Sequence, residues 1–366
     1  MTEFAQDTIK PNINNPAAPR LLHWLPAAFL LSVVGLGAVG TLTSPGFRER
    51  VTGKDLITGT WQLTWEKGLD AKVPWRDPSV SLWGSLNYRL FGEARDGALV
   101  GEDGWLFTSE EYQSGPNDAA EMAAKVKYVQ QVRAELAKDG AKLVVALIPA
   151  KTRLYPEFLS AHVPSQKANV YASFQAALTQ AGIAVPDLLA SFQAEKQKDA
   201  GDLFFRTDTH WTPYGAMVAA QTLAPAIRDL VPDLPPAQYA VEAKAATARS
   251  GDLLRYVLGP VPDEVQELEY TRTDEGEGGL LGDEILAVTL VGTSYSAESK
   301  DNVWHFAEAL SRALGTQVLN AAQEGKGPLV PMREYLTGED RKNNPPQVVI
   351  WEFPERFLSR SYASSH

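Results

Sequence analysis

Arg206-Thr207-Asp208-Thr209-His210-Trp211-Thr212-Pro213-Tyr214-Gly215 sets a carboxylate two residues before an imidazole, where a strand gives way to a helix. Residues 203–205 before it are short and apolar, as a buried strand is. After it, Thr212 suits a helix N-cap and Pro213 the first helical position, where a missing N–H costs nothing. The pattern predicts a helix over 213–230.

Working outward, apolar runs alternate with amphipathic ones. Lys142-Leu-Val-Val-Ala-Leu-Ile148 is short, apolar and β-branched, the mark of a strand buried on both faces. Helices are predicted over 117–139, 170–180, 188–197 and 300–314, with Gly140 and Gly182 closing the first two. Further strands are predicted at 183–186, 285–291, 317–320 and 347–351. Residues 231–280 are rich in Pro, Glu, Gly and Asp without periodicity, and read as a long excursion or substrate lid. Strands alternating with helices define an α/β fold, a parallel sheet flanked by helices on both faces. Such sheets bind ligands at the carboxyl ends of their strands. The residues to inspect are therefore Lys151, Asp187, Asp208 to His210, Ser294, Gln323 to Gly327 and Glu352 to Arg356.

Composition narrows the function. A net charge of −11 disfavours non-specific nucleic-acid binding. The absence of cysteine excludes a thiol nucleophile, a cysteine-ligated metal and disulfides. No charged residue occurs over 21–47, and the apolar core of that stretch has about the 20 residues that span a bilayer. A cleaved signal peptide carries a shorter apolar region nearer Met1. We therefore expect an uncleaved transmembrane anchor at 21–43, a tail at 1–20, a packing segment or stalk at 44–100 and a catalytic domain at 101–366. Lys10 and Arg20 precede the span while Arg48, Arg50 and Lys54 follow it, so the charges leave its orientation ambiguous.

Among five histidines, His23 lies in the apolar stretch, His366 is terminal, His162 is in a Pro-flanked loop and His305 is in a predicted helix. Only His210 has a carboxylate within two positions at a strand-to-helix transition. Histidine accepts a hydroxyl proton near neutral pH, and an acid fixes its tautomer and stabilises the imidazolium. A helix-capping role for the Asp-x-His alone is equally intelligible. A serine supplies the third part: Gly292-Thr293-Ser294-Tyr295-Ser296 ends the strand at 285–291. A glycine there lets the chain turn, and the helix predicted to follow offers N–H groups to an oxyanion. Ser296 is a rival nucleophile, and the segment is also readable as an ordinary polar turn. Lys151 reads either as a carboxylate holder or as the partner of a nearby acid, and Tyr295 as a wall of the acceptor site or a core contact. Arg356 is expected to pair with Glu352 or Glu355. Asp208 and His210 lack a third metal ligand at a recognisable spacing, so no metal and no cofactor are expected.

These motifs, with Gly101-Glu-Asp-Gly-Trp-Leu-Phe107, Ile148-Pro-Ala-Lys151 and Val349-Ile-Trp-Glu-Phe-Pro-Glu-Arg356, resemble the alginate O-acetyltransferase AlgJ/AlgX family, over roughly residues 85–360. Its catalytic domains are SGNH-hydrolase-like. The resemblance implies Ser294 as nucleophile, His210 as base and Asp208 as its orienting acid, in the order of a permuted SGNH domain. One anchor and one catalytic domain are closer to the AlgJ type, since the chain ends soon after its last strand. Gly325 or Gly327 would join the Ser294 N–H as oxyanion donors. By the resemblance, Ser294 accepts an acetyl group and a polysaccharide hydroxyl then takes it. The donor side would be an integral-membrane acyltransferase of the MBOAT type. The tail would be cytoplasmic and the domain periplasmic, on a bacterial inner membrane. A carbohydrate acetylesterase with the same residues, and a non-catalytic subunit of a polysaccharide assembly complex, are the alternatives. The polymer, alginate or another bacterial glycan, stays open.

Overall fold

The computed structural model describes residues 25–43, 62, 66, 76–159, 164–257, 263–274, 286–299 and 302–360. Most of the predicted stalk, together with His23, His162 and His366, lies outside them. Contacts divide the chain into two units, Met1–Trp83 and Gly84–His366. In the first, the charge-free stretch forms helix α1 (Leu25–Thr43), whose Phe29, Leu31, Val34 and Val39 are exposed. Among the described residues no helix is long and apolar enough to cross a membrane. Of the span expected over 21–43, residues 21–24 lie outside the described residues and residues 25–43 form α1.

Helix α2 (Arg76–Phe91) is followed by the antiparallel pair β1 (Ala98–Val100) and β2 (Leu106–Thr108). Then come α3 (Asp118–Ala137), β3 (Lys142–Ile148), α4 (Val170–Gln180), α5 (Leu188–Lys196) and α6 (Pro213–Leu230). The excursion after α6 is not structureless. It pairs β4 (Tyr239–Ala243) with β7 (Leu268–Arg272), and β5 (Thr247–Arg249) with β6 (Asp263–Val265), in two antiparallel ribbons. The chain resumes with β8 (Val288–Val291), α7 (Phe306–Leu314), β9 (Val318–Asn320), α8 (Leu329–Thr337), α9 (Glu339–Asn343) and β10 (Val348–Pro354).

The main sheet is parallel throughout, in the order β3-β10-β8-β9. Its last strand in sequence is therefore internal in space, and all seven residues of β10 are buried. A pleated strand sends alternate side chains to opposite faces. Val144, Ala146 and Ile148 pack with α6 and α7, through Val218, Leu223, Phe306 and Leu310. Leu143, Val145 and Leu147 pack on the other face with Val132, Phe174 and Tyr335 of α3, α4 and α8. Two independent cores around one sheet explain why these strands read as continuous apolar runs rather than alternating ones.

Three expectations differ in detail. Residues 203–205 do not join the main sheet; Phe204 makes one antiparallel bridge to Trp211. The stretch 183–186 is a single parallel bridge, Val144 to Ala184. The helix expected from residue 300 starts at Phe306, after His305 takes the left-handed conformation at φ 45°.

Candidate active site

The loop holding Asp208 and His210 is folded back on itself. Phe205 N–H donates to His210 O at 3.2 Å and Thr212 N–H to Leu203 O at 3.0 Å. Thr212 caps α6 as its residue type predicts, its Oγ1 accepting from Gly215 N–H at 3.0 Å. Gly215 is required by contact: a Cβ there would lie 2.1 Å from Leu203 O. From beneath, the Lys151 ammonium donates to Leu106 O at 2.6 Å and to Arg206 O and Asp208 O at 3.0 Å each. Lys151 is buried and does not line the cleft; it organises three carbonyls rather than binding a carboxylate from outside.

His210 Nδ1 stands 2.6 Å from Asp208 Oδ1, and Nε2 stands 2.8 Å from Ser294 Oγ across 84 residues of sequence. The structure thus brings the three predicted residues into one hydrogen-bonded line. The His210 ring stacks on the Trp304 indole, with centroids 4.6 Å apart and planes at 11°. Tyr295 meets the same ring at 4.7 Å and donates its hydroxyl to Thr209 O at 2.6 Å. Trp211 Nε1–H donates to Tyr295 O at 3.1 Å, a second tie between the two motifs. Tyr295 is a buried brace, not a cleft wall.

Burial alone would raise the Asp208 carboxyl. Hydrogen bonds from His210, together with the His210 and Arg249 charges, hold it well below the usual carboxylate range. Its second oxygen, Oδ2, accepts from Arg249 at 3.3 Å and from Asp252 N–H at 3.0 Å. Asp252 in turn accepts from Thr209 N–H at 2.8 Å and Thr209 Oγ1 at 2.6 Å. Arg249 and Asp252 belong to the excursion, 41 and 44 residues after Asp208, and escaped the sequence reading: Arg249 ends β5, and Asp252 opens the short 3-10 turn that follows it. The one local signal is Gly251, where a Cβ would lie 2.1 Å from Thr207 O.

Asp252 also places a third potential ligand beside Asp208 and His210, the three offering atoms within 4.8 Å of one another. That grouping is already occupied by Arg249, by Thr209 and by the Asp208–His210 bond. A guanidinium on the same carboxylate opposes a bound cation.

Ser294 sits past the end of β8 in a single turn, with Ser296 N–H and Ala297 N–H both donating to Thr293 O. The expected helix N-terminus is absent from this point, since α7 begins at Phe306. Ser294 N–H has no hydrogen-bond partner among the described residues, leaving it free for an oxyanion. Ser296 is buried and donates to Glu352 Oε2 at 3.1 Å. Gly325, in the left-handed region at φ 76°, lines the cleft with Ser294 and His210; Gly327 does not. Arg356 pairs with neither expected acid. Its nearest carboxylate is Glu110 at 3.5 Å, and Glu355 is bound to Arg153 at 2.5 Å.

The cleft has a volume near 660 Å³, is walled by Arg249, Tyr256, Trp304, Arg356 and Arg360, and opens directly onto Ser294 and His210. A base on a serine hydroxyl, an acid behind the base, a free N–H and an open cleft beside them compose the parts of an acyl-transfer centre.

Residues 98–355 match the family model described as "SGNH hydrolase-like domain, acetyltransferase AlgX". A probable alginate O-acetylase AlgJ of Pseudomonas syringae pv. tomato is 44% identical over 316 residues, 83% of this chain and 80% of that protein. The probable alginate O-acetylase AlgJ of Azotobacter vinelandii is 40% identical over 323 residues, 84% of this chain and 81% of that protein. The solved O-acetyltransferase domain of Pseudomonas putida AlgJ superposes with a TM-score of 0.67 at 38% identity, covering 74% of this chain and 95% of that one.

Proposed function

This chain belongs to the SGNH hydrolase-like AlgX acetyltransferase family, and from that premise we propose that it transfers acetyl groups to the hydroxyls of an exopolysaccharide through an acetyl-Ser294 intermediate. It is an O-acetyltransferase by family. The observation that carries the mechanism is the Asp208–His210–Ser294 line, at 2.6 and 2.8 Å, at the mouth of a cleft.

In this mechanism Ser294 Oγ attacks the acetyl carbonyl carbon of the donor while its proton passes to His210 Nε2. The negative charge gathers on the former carbonyl oxygen, within reach of Ser294 N–H, with Gly325 as the second candidate donor. Collapse breaks the bond to the donor's leaving group, which takes the proton from His210. A sugar hydroxyl then yields its proton to His210 and attacks the acetyl-serine, and Ser294 leaves with that proton. Asp208 stays ionised throughout and holds Nδ1–H, so the base presents Nε2 to the serine.

The glycan is an alginate-like or other bacterial polysaccharide in this reading, as the relatives' names support. The charge-free stretch containing α1 supports a single-pass anchor in a bacterial inner membrane, with the catalytic domain periplasmic. A membrane-bound acyltransferase of the MBOAT type would deliver the acetyl group. The test is transfer from a chromogenic acetyl ester to acceptor oligosaccharides, with Ser294→Ala alongside. Acetylated sugar that disappears in the variant supports the proposal; acetate release alone, whatever the acceptor concentration, would make the protein an esterase.

A further inference from the structure

The centre of the main sheet carries an acid. Glu352 lies in β10 between Trp351 and Phe353 and is fully buried. Burial pushes its carboxyl up to about 7, against the pull of Thr293, Ser296 and the Arg356 charge. A carboxyl in such a place is costly unless its oxygens are hydrogen-bonded. Every hydrogen bond it makes among the described residues goes to the serine turn. Thr293 N–H donates to Oε2 at 2.6 Å, Thr293 Oγ1 donates to Oε1 at 3.0 Å, and Ser296 Oγ donates to Oε2 at 3.1 Å. These donors lie on both sides of Ser294 in the sequence.

Gly292 belongs to the same arrangement. A Cβ at this position would stand 2.4 Å from Glu352 Oε2 and 2.8 Å from Glu352 Cβ. Its φ lies outside the left-handed region, so the glycine serves close approach rather than an unusual turn.

We propose that Glu352 is a positioning residue for the nucleophile: its carboxyl group clamps the turn Thr293-Ser294-Tyr295-Ser296 from below and holds Ser294 Oγ on His210 Nε2. The clamp also discriminates between the two serines of the turn. The Ser296 hydroxyl is spent on Glu352, while the Ser294 hydroxyl is left to face the base. It extends to the far wall as well. Asn320 Nδ2–H donates to Ser296 O at 2.7 Å and Gln323 N–H to Gly292 O at 3.1 Å, so the loop carrying Gly325 hangs from the clamped turn. The inference rests on Ser294 being the nucleophile.

The experiment compares Glu352→Gln, Ser296→Ala and Ser294→Ala with the parent chain. It follows transfer kinetics, melting temperature and the rate at which a fluorophosphonate modifies Ser294. Glutamine keeps the shape but sets an amide N–H against a hydroxyl donor of the turn. We expect kcat to fall about ten- to hundredfold, as for a displaced nucleophile, with KM for donor and acceptor within about twofold. The labelling rate should fall in step. Ser296→Ala removes one bond of the clamp without burying a new polar group, and should lower kcat and labelling about two- to tenfold. Parental kcat and labelling in both folded variants would overturn the clamp, as would a loss carried wholly by KM. Full transfer by Ser294→Ala would instead overturn the nucleophile assignment, so the two failures are distinct.

Discussion

Arg249 places a guanidinium nitrogen 3.3 Å from Asp208 Oδ2, the carboxylate oxygen that His210 does not use. The acid behind the base is therefore held from both ends, by the imidazole on Oδ1 and by the excursion on Oδ2. Replacing Arg249 by leucine should lower kcat about tenfold, since a charge-assisted bond of roughly 1.5–3 kcal/mol that orients Asp208 is lost. Steady-state transfer kinetics measure this, and Arg249→Lys should recover part of the rate.

The carboxyl of Asp208 is held below its ordinary range in the folded protein. The unfolded chain binds its proton more tightly, so this group adds stability above the unfolded value near 3.9, lost as pH falls through the folded one. Urea unfolding from about pH 6 to about pH 3 should show a shallower loss in Asp208→Asn than in the parent.

Glu352 has the opposite sign, because burial raises its carboxyl to about 7. Between the ordinary glutamate value near 4.3 and about 7 the native state holds the proton more tightly than the unfolded chain. Its contribution is therefore full at low pH and is lost as pH rises through about 7. Unfolding free energies at about pH 5 and about pH 7 should differ less in Glu352→Gln than in the parent.

Trp304 lies flat against His210 at 4.6 Å. An aromatic face attracts a cation by about 0.5–2 kcal/mol, and in the proposed mechanism His210 takes up the serine or sugar proton as an imidazolium. Trp304→Leu should lower kcat by roughly threefold to thirtyfold, and Trp304→Phe by less. Single-turnover acetylation isolates this effect from acceptor binding.

Gly292 and Gly325 should respond differently to alanine. At Gly292 the new methyl meets the Glu352 carboxylate at 2.4 Å, an overpacking cost of about 1–3 kcal/mol together with a displaced turn. At Gly325 nothing lies within 4 Å, and only the left-handed backbone resists, at roughly 1–2 kcal/mol. Both melting temperatures should fall by a few degrees, whereas Gly292→Ala should lose much more transfer activity.

The parts of this site written in local sequence were legible in advance. Thr212 and Pro213 announced α6, the apolar run at 142–148 announced β3, and the Asp-x-His with the later Gly-x-Ser named three residues that the fold brings within 2.8 Å of one another in turn. What escaped was non-local. Arg249 ends the ribbon strand β5 and Asp252 opens the 3-10 turn after it, polar and partly exposed residues that carry no periodic signal. The two helices between β9 and β10 were not anticipated, because residues 321–343 carry short and irregular apolar spacing. Glu352 left a trace, as one acid in an otherwise apolar strand, yet its partners are set by β10 lying next to β8, a pairing the order of the sequence does not state.

The most direct test of the account is to trap the acetyl-enzyme. The protein would be mixed with an acetyl ester without acceptor, quenched in acid, and its peptides examined by mass spectrometry. One acetyl group on the peptide containing Ser294, discharged on adding a polysaccharide acceptor and absent from Ser294→Ala, is the result predicted here. An acetyl group on another residue that transfers equally well, or undiminished turnover in Ser294→Ala, would contradict it.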